Sequence, residues 1–348
     1  MNDGVLAAPD LPELLAYREP DGRDRRVLVS REWPPKRHDI IRRLEAVLGP
    51  PPAIRVPLET RIHAEEDLGD HLRQKLSYQV EAGERCTAWL LLPKPPVYRL
   101  PAMLCCHQTV AEGKDEPAGL SGRASLHYAV GLVRQGYACL VPDVITAGER
   151  VYPGYGPSET DAFYQRHPDW SALGKMLWDH QRALDLLDTL DHVDPDRIGV
   201  IGHSLGGENA MMLGAFDHRV KVTVANCAYV PFAVDPGPTR WCRDSWFVYL
   251  PQLRSCISQG LHPPFLWVEV LGLIAPRALH YSYALQDSVF PNSAALAEDM
   301  RQLGRLYDLL GSRARLGYYE DPGEHDFSDP AREGAYRLIR SVLKATWA

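Results

Sequence analysis

The feature that most constrains the fold is a glycine-rich stretch, residues 202–207, which directly follows the apolar run 198–201. A short buried strand that enters Gly-x-Ser-x-Gly is typical of a nucleophile elbow, the tight strand-to-helix turn that exposes a serine. The glycines two residues before and after Ser204 suit this turn because they lack a Cβ. The following helix directs its first amides toward the serine, so the amide of Leu205 is a candidate oxyanion donor. Alone, the pattern is equally compatible with a turn that carries no chemistry.

From residue 101 onward, short apolar runs alternate with amphipathic stretches. Strands are predicted at residues 54–62, 73–80, 87–92, 102–106, 137–141, 198–201, 220–225, 277–283 and 315–319. Helices are predicted at residues 35–48, 124–135, 171–190, 293–310 and 330–344, in addition to the helix after the elbow. Such alternation predicts an α/β fold in which a mostly parallel central sheet is flanked by helices.

The predicted domain organisation is an N-terminal extension, residues 1–70, followed by a catalytic domain, residues 71–348. Segments 150–169 and 226–275 interrupt the alternation and are rich in proline and aromatic residues. Loops of this length usually serve as lids or caps. We therefore expect them to shape a substrate pocket, with Trp241 and Trp246 as candidate pocket residues. A cap that only covers the core is the alternative.

Two later loops supply catalytic partners for Ser204. Asp287 and His325 follow the last two predicted strands. A serine nucleophile needs a base to take its proton, and the base needs a carboxylate to fix its tautomer. The chain order serine, acid, histidine is the order found in elbow-type sheets. We predict these three residues as the catalytic set and rank Glu324 and Asp326 lower, because residues adjacent to a histidine direct their side chains away from its ring.

The loop after the predicted strand 102–106 contains His107, Gln108 and Thr109. This loop usually provides the second amide of an oxyanion hole. The amides of Thr109 and Gln108 are both candidates, and the sequence does not choose between them. His107, at the beginning of the loop, is a candidate pocket residue.

Composition excludes several classes of function. A net charge of −7 argues against a nucleic-acid-binding protein. No apolar run approaches the roughly 18 residues that span a bilayer, and the first thirty residues lack a secretory pattern. Seven scattered cysteines without a Cys-x-x-Cys pair favour reduced thiols and a cytoplasmic protein. Because zinc, P-loop and dinucleotide motifs are absent, we expect neither a metal nor another cofactor.

These motifs together resemble the α/β-hydrolase superfamily, and within it the dienelactone-hydrolase-like and acetyl-xylan-esterase-like branch. The resemblance covers roughly residues 70–345. Its motifs lie at residues 104–109, 113–114, 136–150, 194–210 and 274–277, and in the loops of Asp287 and His325.

The resemblance implies an eight-stranded, mostly parallel sheet and a Ser204–His325–Asp287 triad that acts on esters. Dienelactone hydrolases themselves use a cysteine where this chain has serine. The resemblance also implies a buried ion pair between Glu149 and Arg150, with a substrate contact as the alternative role of Arg150.

The predicted function is therefore hydrolysis of a small-molecule carboxylic ester through an acyl-enzyme intermediate. A prolyl-oligopeptidase-like peptidase is less well supported, because about 100 residues before the catalytic sheet are too few for a β-propeller. The same triad would also suit a thioester or C–C hydrolase or an acyltransferase. A non-catalytic binding protein on this scaffold is the fourth alternative. The sequence is compatible with a homodimer but does not decide the oligomeric state, and nucleic-acid and membrane partners are not expected.

Overall fold

The computed structural model describes residues 13–18, 21–94 and 99–344. The strands in this part of the chain are β1 (Ala16–Arg18), β2 (Asp24–Arg26), β3 (Arg61–Asp67), β4 (His71–Glu81), β5 (Glu84–Pro93), β6 (Leu100–Cys106), β7 (Ala138–Pro142), β8 (Val193–His203), β9 (Val220–Asn226), β10 (Ala278–Ala284) and β11 (Leu316–Asp321). The helices are α1 (Trp33–Leu48), α2 (Tyr128–Val133), α3 (Asp161–Arg166), α4 (Ala172–Asp188), α5 (Leu205–Phe216), α6 (Arg254–Ser258), α7 (Trp267–Gly272), α8 (Leu296–Leu309) and α9 (Asp329–Leu343).

The central sheet has nine strands in the order β11-β10-β9-β8-β6-β7-β5-β4-β3. Strands β6 to β11 are parallel to one another, whereas β3, β4 and β5 form an antiparallel edge that joins them through the antiparallel pair of β5 and β7. The predicted α/β fold with a mostly parallel sheet is confirmed. The expectation of eight strands is wrong, because β3 from the N-terminal region adds a ninth strand at the edge. Its side chains are exposed and mostly charged, which suits an unpaired edge.

Helices cover both faces of the sheet. Apolar side chains of α2 and α9 build the core on one face, and those of α1, α4, α5, α7 and α8 build the core on the other. Helix α4 begins where the Ser171 hydroxyl accepts a hydrogen bond from the Gly174 amide at 3.0 Å. Such a cap stabilises a helix by about 1 kcal/mol. No helix in the described ranges is both long enough and apolar enough to cross a membrane.

The N-terminal region is joined to the rest of the fold by buried charges. Lys36 and Arg43 of α1 both contact the carboxylate of Glu269 in α7, and the three side chains are almost completely buried. Burial opposes ionisation of Glu269, but the two cations lower its pKa to about 2. Removing one partner of such a buried pair typically costs about 3–5 kcal/mol. The proposed domain boundary at residue 70 stays a prediction.

The two long segments, 150–169 and 226–275, pack against each other at the carboxyl ends of the parallel strands. The Thr160 hydroxyl donates to the carbonyl of Trp246 at 2.7 Å, and the Tyr164 hydroxyl donates to the carbonyl of Val248 at 3.0 Å. We call the two segments together the cap. Side chains of segment 150–169 therefore hold the backbone of segment 226–275 in place.

Candidate active site

Ser204 lies at the junction of β8 and α5 with φ 53° and ψ −124°, a strained conformation for a residue with a Cβ. The flanking glycines make this turn sterically feasible. A Cβ on Gly202 would lie 2.1 Å from the carbonyl oxygen of Gly206, and one on Gly206 would lie 2.1 Å from that of Cys106. The Ser204 amide donates to the carbonyl of Asn226 at 2.9 Å, which ties the turn to β9.

His325 and Asp287 form a direct pair. The Nδ1 atom of His325 lies 2.7 Å from Oδ2 of Asp287, whose side chain is 2% exposed. The other carboxylate oxygen accepts the amides of Val289 at 2.8 Å and Phe290 at 2.7 Å. The turn thus fixes the carboxylate, and the carboxylate holds the Nδ1–H tautomer. This leaves Nε2 of His325 as a proton acceptor.

A second, buried histidine supports this ring. The rings of His203 and His325 lie 4.6 Å apart between centroids. The Nδ2 atom of Asn226 lies 2.7 Å from Nδ1 of His203 and donates to the carbonyl of Asp326 at 2.9 Å. Burial lowers the pKa of His203, so its ring packs in the neutral form. Sequence reasoning did not identify Asn226, whose only signal is its place at the end of β9.

A cavity of about 270 Å³ opens onto Ser204 and His325. Its lining residues are Gln108, Thr109, Ser204, Leu205, Glu208, Arg240, Trp241, Arg243, Trp246, Phe247, Tyr249, Val289, Phe290 and His325. The candidate oxyanion donors Leu205, Thr109 and Gln108 therefore border the same space as the serine. Trp241 and Trp246 also line the cavity; Trp241 is only 2% exposed, whereas Trp246 is 48% exposed.

The prediction of His107 as a pocket residue is wrong. Its ring is completely buried and does not line the cavity. Its Nδ1 lies 2.6 Å from the carbonyl of Gln108, and its Nε2 accepts the amide of Val144 at 3.1 Å. His107 therefore fixes the loop of the candidate oxyanion donors to the loop after β7.

The predictions for Arg150 are also wrong. Arg150 does not line the cavity, and it does not pair with Glu149. Its guanidinium binds Asp179 at 2.7 Å and Glu84 at 2.5 Å, two partners that are distant in sequence. Glu149 is instead paired with Lys114 at 2.6 Å and with Lys75 at 3.0 Å. Arg150 is a structural cation that joins α4, β5 and the cap.

Glu208 is a cavity residue that sequence reasoning missed. It lies on α5 one turn after Ser204, and only 5% of its surface is exposed. Burial raises its pKa to about 8, and its neighbours Tyr249, Arg243 and Arg240 only partly offset this shift. The neutral carboxylic acid is therefore the favoured form at neutral pH.

Glu208→Gln is expected to raise the melting temperature by several degrees at pH 8 and very little at pH 5. Above pH 4.5 the unfolded chain loses the Glu208 proton, whereas the folded chain keeps it until about pH 8. Wild-type stability therefore falls with rising pH across this interval, and the neutral amide removes this loss. Calorimetry from pH 5 to pH 8 measures the difference, with exposed Glu324→Gln as the control. A Glu208→Gln effect that does not change with pH would contradict this origin.

Among the described residues, two groups bring three metal-type ligands within 4.8 Å of one another: Cys227 with Asp287 and His325, and Glu81 with Glu84 and His167. In the first group, Asp287 already pairs with His325 and accepts two amides. In the second, Lys175 contacts both glutamates. The absence of a metal and of any other cofactor stays a prediction.

Comparisons with known proteins find similar sequences and similar folds. A family model described as glucuronyl esterase of fungi matches residues 147–229. A protein of Bacillus subtilis (strain 168) that is named as a hydrolase, YtaP, is 28% identical over 294 residues, which are 83% of this chain and 94% of that protein.

Solved structures match over almost the whole fold. The glucuronoyl esterase from Solibacter usitatus superposes with a TM-score of 0.75 at 20% identity and covers 100% of both chains. A structure described as an acetyl xylan esterase from Bacteroides fragilis NCTC 9343 gives a TM-score of 0.67 at 19% identity, covering 95% of this chain and 86% of the other.

The fold is that of the α/β-hydrolases. Within this class, the predicted resemblance to the acetyl-xylan-esterase-like branch is confirmed, and the similarity extends to the glucuronoyl esterases. The family model and the solved structures that this chain resembles are those of carboxylic ester hydrolases.

Proposed function

We propose that this protein is a serine esterase in which Ser204, His325 and Asp287 form the catalytic triad. Nε2 of His325 takes the Ser204 proton while Oγ attacks the ester carbonyl. The amide of Leu205 and an amide from Gln108 or Thr109 stabilise the oxyanion. His325 then protonates the departing alcohol and activates water, which releases the acid and regenerates the serine.

The observation that carries this proposal is the convergence of three elements on one cavity. The strained Ser204 turn and the His325 ring both line it, and Asp287 holds the far nitrogen of that ring at 2.7 Å. A histidine held in this way has a free nitrogen toward the cavity and a buried countercharge behind it. That arrangement lowers the free energy of the imidazolium which forms as the serine is deprotonated.

We further propose that the substrates are esters of uronic acids, with the sugar on the acyl side of the ester bond. The support is the glucuronyl esterase family model, whose match includes β8, the elbow and α5. The cavity combines aromatic side chains with a few polar groups, a composition common in sites that bind small polar molecules.

The first test is intact-mass analysis after treatment with a fluorophosphonate, which reacts with activated serines. We expect one adduct on the wild type and none on Ser204→Ala, because removal of Oγ removes the nucleophile. Ser245→Ala is the matched control: Ser245 is exposed in the cap, outside the cavity lining, and should not affect labelling. A folded wild type without an adduct, or a labelled Ser204→Ala variant, would contradict the proposed nucleophile.

A further inference from the structure

The cavity contains an arginine, Arg243, that forms no ion pair with any residue in the described part of the chain. Among the described residues, the Arg243 guanidinium takes part in no hydrogen bond and no ion pair, and it lies over the ring of Trp246, with Cζ 5.0 Å from the ring centroid. Arg240, the other arginine of the lining, is different. It pairs with Asp235 at 3.1 Å and donates to the carbonyl of Gly237 at 3.0 Å. Arg240 thus holds the cap loop together, whereas the hydrogen-bond donors of Arg243 remain available.

The remaining charges of the lining favour an anion beside Arg243. The ionisable groups of the lining are Glu208, Arg240, Arg243, Tyr249 and His325. Glu208 is the carboxyl group among them, and burial keeps it in the neutral form at neutral pH. The cavity is therefore positive in a chain whose net charge is −7. A concave site of one charge sign attracts ligands of the opposite sign.

The surroundings of Arg243 also select the kind of anion. Burial and the neighbouring Arg240 lower the pKa of Arg243, and Glu208 opposes this shift only in part. The protein thus makes the charged form of Arg243 less favourable, and a ligand anion would reverse this effect. A guanidinium offers two parallel N–H groups that fit a carboxylate, and the Trp246 ring provides a flat surface for its plane. The single positive charge of Arg243 matches the single negative charge of a carboxylate. A phosphate dianion would need a second unpaired cation to balance its charge.

We propose that Arg243 binds a free carboxylate on the substrate, so that the preferred esters are those of acids or alcohols that carry a second, unesterified carboxyl group. A partly esterified oligouronic acid has this chemistry, with a free carboxylate beside the ester. Arg243 is a specificity-determining residue in this assignment and takes no part in bond breaking. The assignment rests on the proposed esterase function, because it concerns the substrate of the same site.

The test compares pairs of esters in which one member carries a carboxylate and the other a neutral group at the same position. On the acyl side, mono-4-nitrophenyl adipate is paired with 4-nitrophenyl hexanoate; on the alcohol side, 4-acetoxybenzoate is paired with 4-acetoxybenzamide. The readout is the ratio of kcat/KM for the anionic ester to that for its neutral partner, measured within one preparation. Arg243→Gln is expected to lower this ratio by about 10-fold for at least one pair, as loss of a charge-assisted hydrogen bond predicts. Arg243→Lys should restore part of it, because it keeps the charge without the planar fork.

Arg301→Gln is the matched control, since it removes the same charge from an exposed position on α8 that does not line the cavity. The ratio of kcat/KM for the anionic ester to that for its neutral partner should be the same in Arg301→Gln as in the wild type. Ratios that Arg243→Gln leaves unchanged for both pairs would overturn the assignment.

Failure of the esterase proposal is a separate result, namely that the wild type hydrolyses none of the four esters. In that case calorimetric titration with adipate still decides the question. Binding that is weakened about 10-fold in Arg243→Gln supports the carboxylate site, and adipate binding that is absent or equal in both proteins overturns it.

Discussion

Ser204→Ala is expected to lower kcat for methyl glucuronate by about 10⁴–10⁶-fold, the loss typical of a removed serine nucleophile. The substitution deletes a single oxygen atom. It keeps the Cβ that the strained turn already accommodates and the amide that donates to Asn226. The fold should therefore persist, and the loss should appear in turnover with little change in melting temperature. Initial rates of acid release measure it directly.

Two comparisons make this kinetic result specific. Ser245→Ala should retain wild-type turnover, because its hydroxyl is exposed and contacts the neighbouring Asp244. Turnover of Ser204→Ala above about one hundredth of the wild-type rate would assign the chemistry to another group. A wild type that cleaves an acetylated xylose but not methyl glucuronate would retain the serine mechanism and contradict the proposed uronic acid esters.

Asp287→Asn is expected to lower kcat by about 10⁴-fold. The asparagine carbonyl can still accept the amides of Val289 and Phe290, so the turn is preserved. Its NH₂ group then faces Nδ1 of His325, which favours the tautomer with the proton on Nε2. That nitrogen can no longer accept the Ser204 proton, and the neutral amide does not stabilise an imidazolium. Turnover measured beside the melting temperature distinguishes this effect from unfolding.

The neighbouring acids provide the controls for Asp287. Asp326 accepts a hydrogen bond from the Ser125 hydroxyl at 2.7 Å and lies 3.4 Å from Arg123, so its carboxylate is engaged away from the His325 ring. Glu324 is exposed. Asp326→Asn and Glu324→Gln should therefore retain most of the wild-type turnover. A loss in either variant comparable with that in Asp287→Asn would move the acid role to the adjacent loop residue.

The elements that sequence reasoning predicted well are those with local determinants. The turn around Ser204 requires that residues 202 and 206 have no Cβ atom. Both glycines lie within the same five consecutive residues as Ser204, so the sequence alone reveals the turn. The positions of Asp287 and His325 follow from the strands before them, since the carboxyl ends of parallel strands lie at one edge of the sheet. The sequence therefore predicted that the loops of Ser204, Asp287 and His325 lie at the same edge of the sheet, but it could not give the distances between their side chains.

The parts that could not be predicted depend on distant partners. Arg150 binds Asp179 and Glu84, and no local pattern connects those three residues. Within the cap, short helices and irregular turns replace periodic structure, so nothing in the sequence indicated that Arg243 would face the cavity. Glu208 was missed for another reason. Its place on α5 follows from the elbow, but its burial depends on how the cap lies over that helix.

The buried contacts between α1 and Glu269 have a consequence for the order of folding. Lys36 and Glu269 are separated by 233 positions along the chain, so during synthesis α1 is complete long before its charged partner in α7. Until then, Lys36 and Arg43 must remain hydrated, because an unpaired cation is costly to bury. Contacts of such large separation close slowly. Docking of α1 is thus coupled to completion of the cap segment that carries Glu269.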